Sequence, residues 1–69
     1  MWSEELQQQT REFFKKWPMA MMKHFGDMKF GVCHVKDGRY LIEGIGDAVG
    51  QRWEYASVDM MIADGWAID

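Results

Sequence analysis

The spacing of apolar residues changes along the chain, and the first pattern is that of a helix. Near the start, apolar side chains recur every three or four residues, which is the period of an amphipathic α-helix. The apolar stripe consists of Trp2, Leu6, Thr10, Phe13, Phe14, Trp17, Ala20, Met21, His24 and Phe25. Ser3 is a suitable N-cap, and Gly26 suits the left-handed residue that ends many helices. The sequence therefore predicts one long N-terminal helix over about residues 3–25.

Pro18 interrupts this predicted helix. Proline has no N–H to bond the carbonyl of Phe14, and its ring crowds that carbonyl. Because the helical spacing of apolar residues continues unbroken from Trp17 to Met21, we expect a kinked helix. Two helices that meet at Trp17–Pro18 are the alternative.

From Met28 onward the pattern alternates, which predicts a β-hairpin. The strands Met28–Val35 and Arg39–Gly46 flank Lys36-Asp37-Gly38, and Asp-Gly is typical of a two-residue hairpin turn. That turn would pair Val35 with Tyr40, Cys33 with Ile42 and Gly31 with Gly44 on one face, and His34 with Leu41, Val32 with Glu43 and Phe30 with Ile45 on the other. A three-residue turn would shift this register by one, so the buried face stays open.

The rest of the chain predicts a loop, a strand, a short helix and a short final segment. These are a loop over Gly46–Gly50, a strand over Gln51–Ala56, a helix capped by Ser57 over about residues 58–64, and a last strand or docked tail over residues 66–69. Residues 1–69 thus predict a single small α+β domain in the order α-β-β-β-α-β. Its long N-terminal helix packs on a three- to four-stranded, mainly antiparallel sheet, and a short second helix lies near the C-terminus.

Composition excludes several classes of protein. A chain of 69 residues that is 48% hydrophobic is a small folded domain and not a disordered segment. The net charge of −3 argues against nucleic acid as a partner. The single cysteine, Cys33, and the absence of a signal peptide or a membrane-length apolar run predict a cytoplasmic protein without a membrane partner.

Few residues are available for catalysis or metal binding. Cys33 and His34 are adjacent, but successive side chains of a strand point to opposite faces. His24 could approach Cys33 across a helix–sheet interface, yet no pair of ligands has the spacing of a structural zinc site. Gly44–Gly50 lacks the lysine of a phosphate-binding loop and precedes a strand. We therefore expect no catalytic residue, metal or cofactor; a small enzyme or ligand-binding domain that uses these residues is the less favoured alternative.

Exposed methionines indicate a protein interface. Met19 and Met22 would project from the charged side of the predicted helix, where a monomer has little reason to place them. A second helix after Trp17 that buries both methionines is the alternative. The predicted interface has apolar anchors at Met19, Met22, Trp53, Tyr55 and Trp66 and an acidic rim at Asp47, Asp59, Asp64 and Asp69.

These observations predict a small, non-enzymatic intracellular protein that binds another protein, one with a basic surface. Small acidic proteins of this kind include inhibitors that phages and mobile elements make, some of them directed at bacterial defence systems. Such a protein would act by masking or bridging a surface of its partner. A structural homodimer, or a small subunit of a larger assembly, is the alternative, because one helix covers only one face of a sheet.

Overall fold

The computed structural model describes all 69 residues and shows two helices on one side of a five-stranded sheet. The elements are α1 (Glu4–Lys16), β1 (Met19–His24), β2 (Phe30–Lys36), β3 (Arg39–Ile45), a 3-10 turn (Gly46–Ala48), β4 (Arg52–Tyr55), α2 (Val58–Ala63) and β5 (Trp66–Ile68). The strand order is β4-β3-β2-β1-β5, and every neighbouring pair is antiparallel. The predicted α+β class is therefore confirmed, with one more strand than the sequence predicted.

The additional strand, β1, replaces the second half of the predicted first helix. α1 ends at Lys16, and Trp17 is already extended, with φ −127° and ψ 138°. Proline disfavours the helical conformation in the residue before it, so Pro18 ends the helix. The carbonyl of Pro18 then accepts a bond from the N–H of Val35 at 2.8 Å. Both the kinked helix and the two-helix alternative are wrong, and Gly26 (φ 91°) lies in the turn between β1 and β2.

The β2–β3 hairpin has the predicted register. Asp37 and Gly38 both have positive φ, at 53° and 76°, as a two-residue type I′ turn requires. Cys33 pairs with Ile42, and all the other predicted pairs are present. Both residues are fully buried, so the face that carries them is the inner face of the sheet.

The core lies between this inner face and the two helices. Its buried side chains are Ala20, Met22, Cys33, Ile42, Met61 and Trp66, with Phe13 and Phe14 of α1 and Val58 of α2 packed against them. Trp66 is the largest fully buried side chain, and its ring centroid lies 5.0 Å from that of Trp53. The short strand β5 thus supplies the largest side chain of the core as well as one edge of the sheet.

α1 also covers the outer edge of β5 through one buried threonine. The Thr10 hydroxyl donates to the carbonyl of Leu6 at 2.8 Å and accepts from the N–H of Ile68 at 3.2 Å. This bond satisfies a donor that an edge strand would otherwise leave unpaired. β4 forms the other edge of the sheet, and no hydrogen bond joins it to α1.

Both helices begin at the predicted serines. Ser3 accepts from the N–H of Leu6 at 3.2 Å, and Ser57 accepts from the N–H of Met60 at 3.1 Å. Gly65, with φ 108°, follows α2 and leads into β5. Neither helix is long and apolar enough to cross a membrane.

Candidate protein-binding surface

The face of the sheet that points away from both helices carries a continuous apolar surface. Paired residues of antiparallel strands share a face, so the register determines which residues belong to it. The apolar members, which we call the outer patch, are Met19, Met21, Phe30, Val32, Leu41 and Ile45. Met19 is 53% exposed, Met21 49% and Phe30 40%, and the other three are half-buried. No helix covers these side chains.

The residues of the outer face form three rows across β1, β2 and β3. The rows are Met19–His34–Leu41, Met21–Val32–Glu43 and Lys23–Phe30–Ile45. Val32 is therefore the central position, with Met21 and Glu43 beside it and Phe30 and His34 before and after it on β2. Such an array lies on an open sheet face, which suits contact with another protein surface better than the enclosure of a small ligand.

Charged residues surround the outer patch, and the basic ones prevail. By the register, the outer face carries Lys23, Lys36, Arg39 and Arg52 against Glu43 and Glu54. Arg39 Nε lies 3.1 Å from a carboxylate oxygen of Glu54. Of the eight basic and eleven acidic residues of the chain, four basic and nine acidic ones lie elsewhere. The molecule thus has a net positive outer sheet face and a net negative remainder.

Of the predicted apolar anchors, only Met19 lies on this face. Met22 and Trp66 are fully buried, so neither is available to a partner of the folded chain, and their predicted exposure is wrong. The reason is the strand conformation of β1: alternation points Met22 into the core, where a helical period pointed it outward. Trp66 lies on the inner face of β5, opposite His24 of β1.

Trp53 and Tyr55 also face the core side of the sheet, and both are half-buried. The Tyr55 hydroxyl accepts a bond from the indole N–H of Trp66 at 3.0 Å and donates to the Asp64 carboxylate at 2.5 Å. Burial is the main cause of the raised pKa of this hydroxyl, and the hydrogen bond to Asp64 raises the pKa further. Tyr55 therefore holds Trp66 and Asp64 in place.

The four acidic residues of the predicted rim are exposed but lie outside the outer face. Asp47 belongs to the 3-10 turn, Asp59 to α2, Asp64 follows α2 and Asp69 follows β5. Asp59 forms an ion pair with Arg11 of α1, with 2.7 Å between Nε and the carboxylate oxygen. Their contact with a partner stays a prediction. Asp47 lines a surface cavity together with Phe30 and Ile45 of the outer patch, and the N–H of Asp69 donates to the carbonyl of Met21, so these two residues lie beside the patch.

The candidate chemical residues do not form one site. Cys33 is fully buried, with its Sγ 3.8 Å from the Met61 sulfur, and burial raises the pKa of its thiol to about 12. His24 Nε2 lies 2.6 Å from the carbonyl oxygen of Asp64, and its ring packs on Trp66 with centroids 4.9 Å apart. His34 is exposed on the outer face, opposite to Cys33. No group of three or more histidine, cysteine or carboxylate side chains could hold a metal ion.

Of the outer patch, the sequence predicted only Met19 as part of a binding surface. The hairpin register already placed Phe30, Val32, Leu41 and Ile45 on one face, but it did not say which face was open. Met21 was assigned to the core because the helical period continued through it. Pro18 followed by the apolar run Met19-Ala20-Met21-Met22 is compatible with a strand, in which Met21 points outward.

No protein-family model matches this chain, and no curated protein or solved structure matches it either. Function is therefore inferred from the geometry and charge of the surfaces described above.

Proposed function

We propose that this is a non-enzymatic protein that acts by binding another protein chain through the outer patch. The supporting observation is the continuous array of six apolar side chains, of which Met19, Met21 and Phe30 are 40–53% exposed. Contiguous exposed apolar surface of this kind, surrounded by polar residues, is characteristic of protein–protein contact sites. Methionine and aromatic side chains adapt their shape to a partner and are enriched in such sites.

A catalytic function has less support, because the candidate catalytic residues are buried or bonded within the fold. Cys33 would have to ionise in order to act as a nucleophile, and its burial opposes ionisation. His24 and Tyr55 make contacts within the fold, with Asp64 and Trp66. These residues therefore have structural roles that account for their positions.

The test is the capture of a bound protein from host lysate by three tagged forms of the chain. Met21→Glu places a carboxylate in the outer patch, where burial against a partner would be costly. Met60→Glu is the matched control, because Met60 is 56% exposed and lies on α2, away from the outer face. We expect Met21→Glu to lose the protein that wild type captures and Met60→Glu to retain it. Equal capture by wild type and Met21→Glu would contradict the proposal, provided that circular dichroism shows both folded.

A second candidate function is the masking of a basic partner surface by the acidic residues that lie outside the outer face. The observation that favours it is the excess of nine acidic over four basic residues outside the outer face. An inhibitor of the phage or mobile-element kind would act in this way, by covering a surface that its target needs.

This second candidate has a separate test. Asp47, Asp59 and Asp69 are changed together to lysine, and Asp64 is kept because it bonds Tyr55. We expect this variant to capture less of a basic partner and to lose the salt dependence of capture. If capture and its salt dependence do not change, these three carboxylates are not part of the contact surface.

A further inference from the structure

We propose that the edge strand β4 pairs with β4 of a second copy of this chain, so that the two five-stranded sheets join edge to edge. The two-fold axis would pass beside Trp53 and stand perpendicular to the sheet, which keeps the helices of both copies on the same side. This inference goes beyond the proposed function, because it uses the edge of the sheet and leaves both outer patches uncovered.

The main chain of β4 has unpaired groups at Arg52 and Glu54. The N–H of Gly44 in β3 donates to the carbonyl of Gln51 at 2.8 Å, so Gln51 is a position that bonds β3. Bonding and non-bonding positions alternate along an antiparallel strand, and the next position that bonds β3 is therefore Trp53. The N–H and C=O groups of Arg52 and Glu54 point the other way, out of the sheet edge. Their spacing matches that of another extended main chain.

The charges of β4 select one register for this pairing. With the axis beside Trp53, Arg52 lies directly opposite Glu54 of the second copy, and the symmetry makes this contact twice. The smallest shift that preserves the hydrogen-bonding pattern is two residues, and it would place Arg52 on Arg52 or Glu54 on Glu54. Like charges directly opposite each other destabilise a pair of strands. The sequence of β4 is therefore complementary to itself in a single antiparallel register.

The side chains of both charged residues are available for this contact. Arg52 is exposed and forms no ion pair within its own copy. Glu54 bonds Arg39 with one carboxylate oxygen, and a carboxylate can accept bonds from a second guanidinium. In this register each Arg52–Glu54 pair also exchanges two main-chain hydrogen bonds.

On the inner face, the same register brings the two Trp53 side chains together. They form a non-hydrogen-bonded pair, in which opposed side chains are closest, and aromatic pairs at such positions are favourable. Trp53 is half-buried, and its ring centroid lies 5.0 Å from that of Trp66 in the core. The aromatic contact would therefore join the cores of the two copies.

The first experiment is sedimentation equilibrium of the purified chain from micromolar to millimolar concentration. We expect wild type to dimerise, and Arg52→Glu and Glu54→Arg to associate about tenfold more weakly or less, because each sets like charges opposite each other at two places. An equal mixture of the two variants should recover association to within about threefold of wild type, since opposite charges then face each other. Lys16→Glu, which reverses an exposed charge on α1, is the matched control and should dimerise like wild type.

Two outcomes of this experiment overturn the inference. One is a wild type that stays monomeric at millimolar concentration. The other is a mixture of folded variants, checked by circular dichroism, that does not recover association.

The second experiment measures hydrogen exchange of wild type at low and high concentration by NMR and needs no substitution. We expect exchange at the Arg52 and Glu54 amides to slow as the dimer forms, while the Trp53 amide, which bonds β3, is slow at both concentrations. A dimer in which the Arg52 and Glu54 amides still exchange fast overturns the edge pairing. Protection that arises only when a different protein is bound assigns the edge to that protein and overturns the second copy.

Discussion

Replacing Thr10 by valine should remove one hydrogen bond that holds the last strand to the first helix. Valine has nearly the shape of threonine, so the fully buried site stays filled. The Leu6 carbonyl keeps its ordinary helical bond, because it lies four residues before position 10 in α1. The N–H of Ile68, in contrast, loses the oxygen 3.2 Å away that accepts its bond. The cost therefore falls on one partly buried donor.

An unsatisfied buried N–H costs about 1–3 kcal/mol. The free energy of unfolding of so small a domain is only about 3–10 kcal/mol, so a loss of about 2 kcal/mol is a large fraction. In a domain of this length each kcal/mol corresponds to about 4–8 °C in Tm. We therefore expect Thr10→Val to lower Tm by about 8–16 °C.

Urea denaturation and thermal melting measure the effect, and Thr10→Ser is the matched control. Serine keeps the hydroxyl and loses one methyl group, which costs about 1 kcal/mol. Hydrogen exchange at the Ile68 amide should accelerate in the valine variant and stay slow in the serine variant. The reasoning is refuted if valine lies within about 0.5 kcal/mol of wild type, or if serine costs more than valine.

Two further predictions concern buried positions. Burial raises the pKa of Cys33 from 9.0 to about 12, so the folded thiol keeps its proton where the unfolded one ionises. Stability should therefore fall as pH rises above 9, by about 1.4 kcal/mol at pH 10, and thermal melts of Cys33→Ala should lack this loss; an equal slope in both would contradict it. Gly44→Ala would place a Cβ 2.0 Å from the Ala48 carbonyl oxygen and should cost more than about 3 kcal/mol. Gly46→Ala, with open space but φ 59°, should cost only about 1–2 kcal/mol in the same urea titration, and equal losses would contradict the clash.

The predictable parts of the fold were those that local chemistry determines. Asp37-Gly38 specifies a two-residue turn, and the turn fixes the register of the whole β2–β3 hairpin. Ser3 and Ser57 cap their helices because each supplies an oxygen to a free N–H three residues on. These features depend only on neighbours in sequence, so they could be read from it.

β1 could not be predicted in the same way, because its conformation depends on distant partners. Ala20, Met21 and His24 continue the helical stripe, while Ala20 and Met22 also fit the alternation of a strand. The strand forms because β2 and β5 pair with it on both sides, and Met22 pairs with Ile68. Only the proline at position 18 marked the end of the helix locally.

The same error explains the outcome for the candidate site. A helical wheel placed Met22 outward and Met21 inward, and the strand reverses both assignments. Met19 is exposed under either pattern, so its exposure was predicted correctly for the wrong element. Trp66 was predicted as an aromatic anchor, but it is fully buried on the inner face of β5.

The position of β5 has a consequence for folding. Strand β1 has β5 as its partner on one side, and β5 lies about forty residues later in the chain. Until β5 pairs, Met22 and the inner face lack Trp66, and the sheet ends at β1 with an open edge. Contacts between such distant segments also slow folding, because a long loop must close first. Folding intermediates in which β5 is undocked therefore expose an unpaired strand edge and core side chains, which is the kind of surface that aggregates.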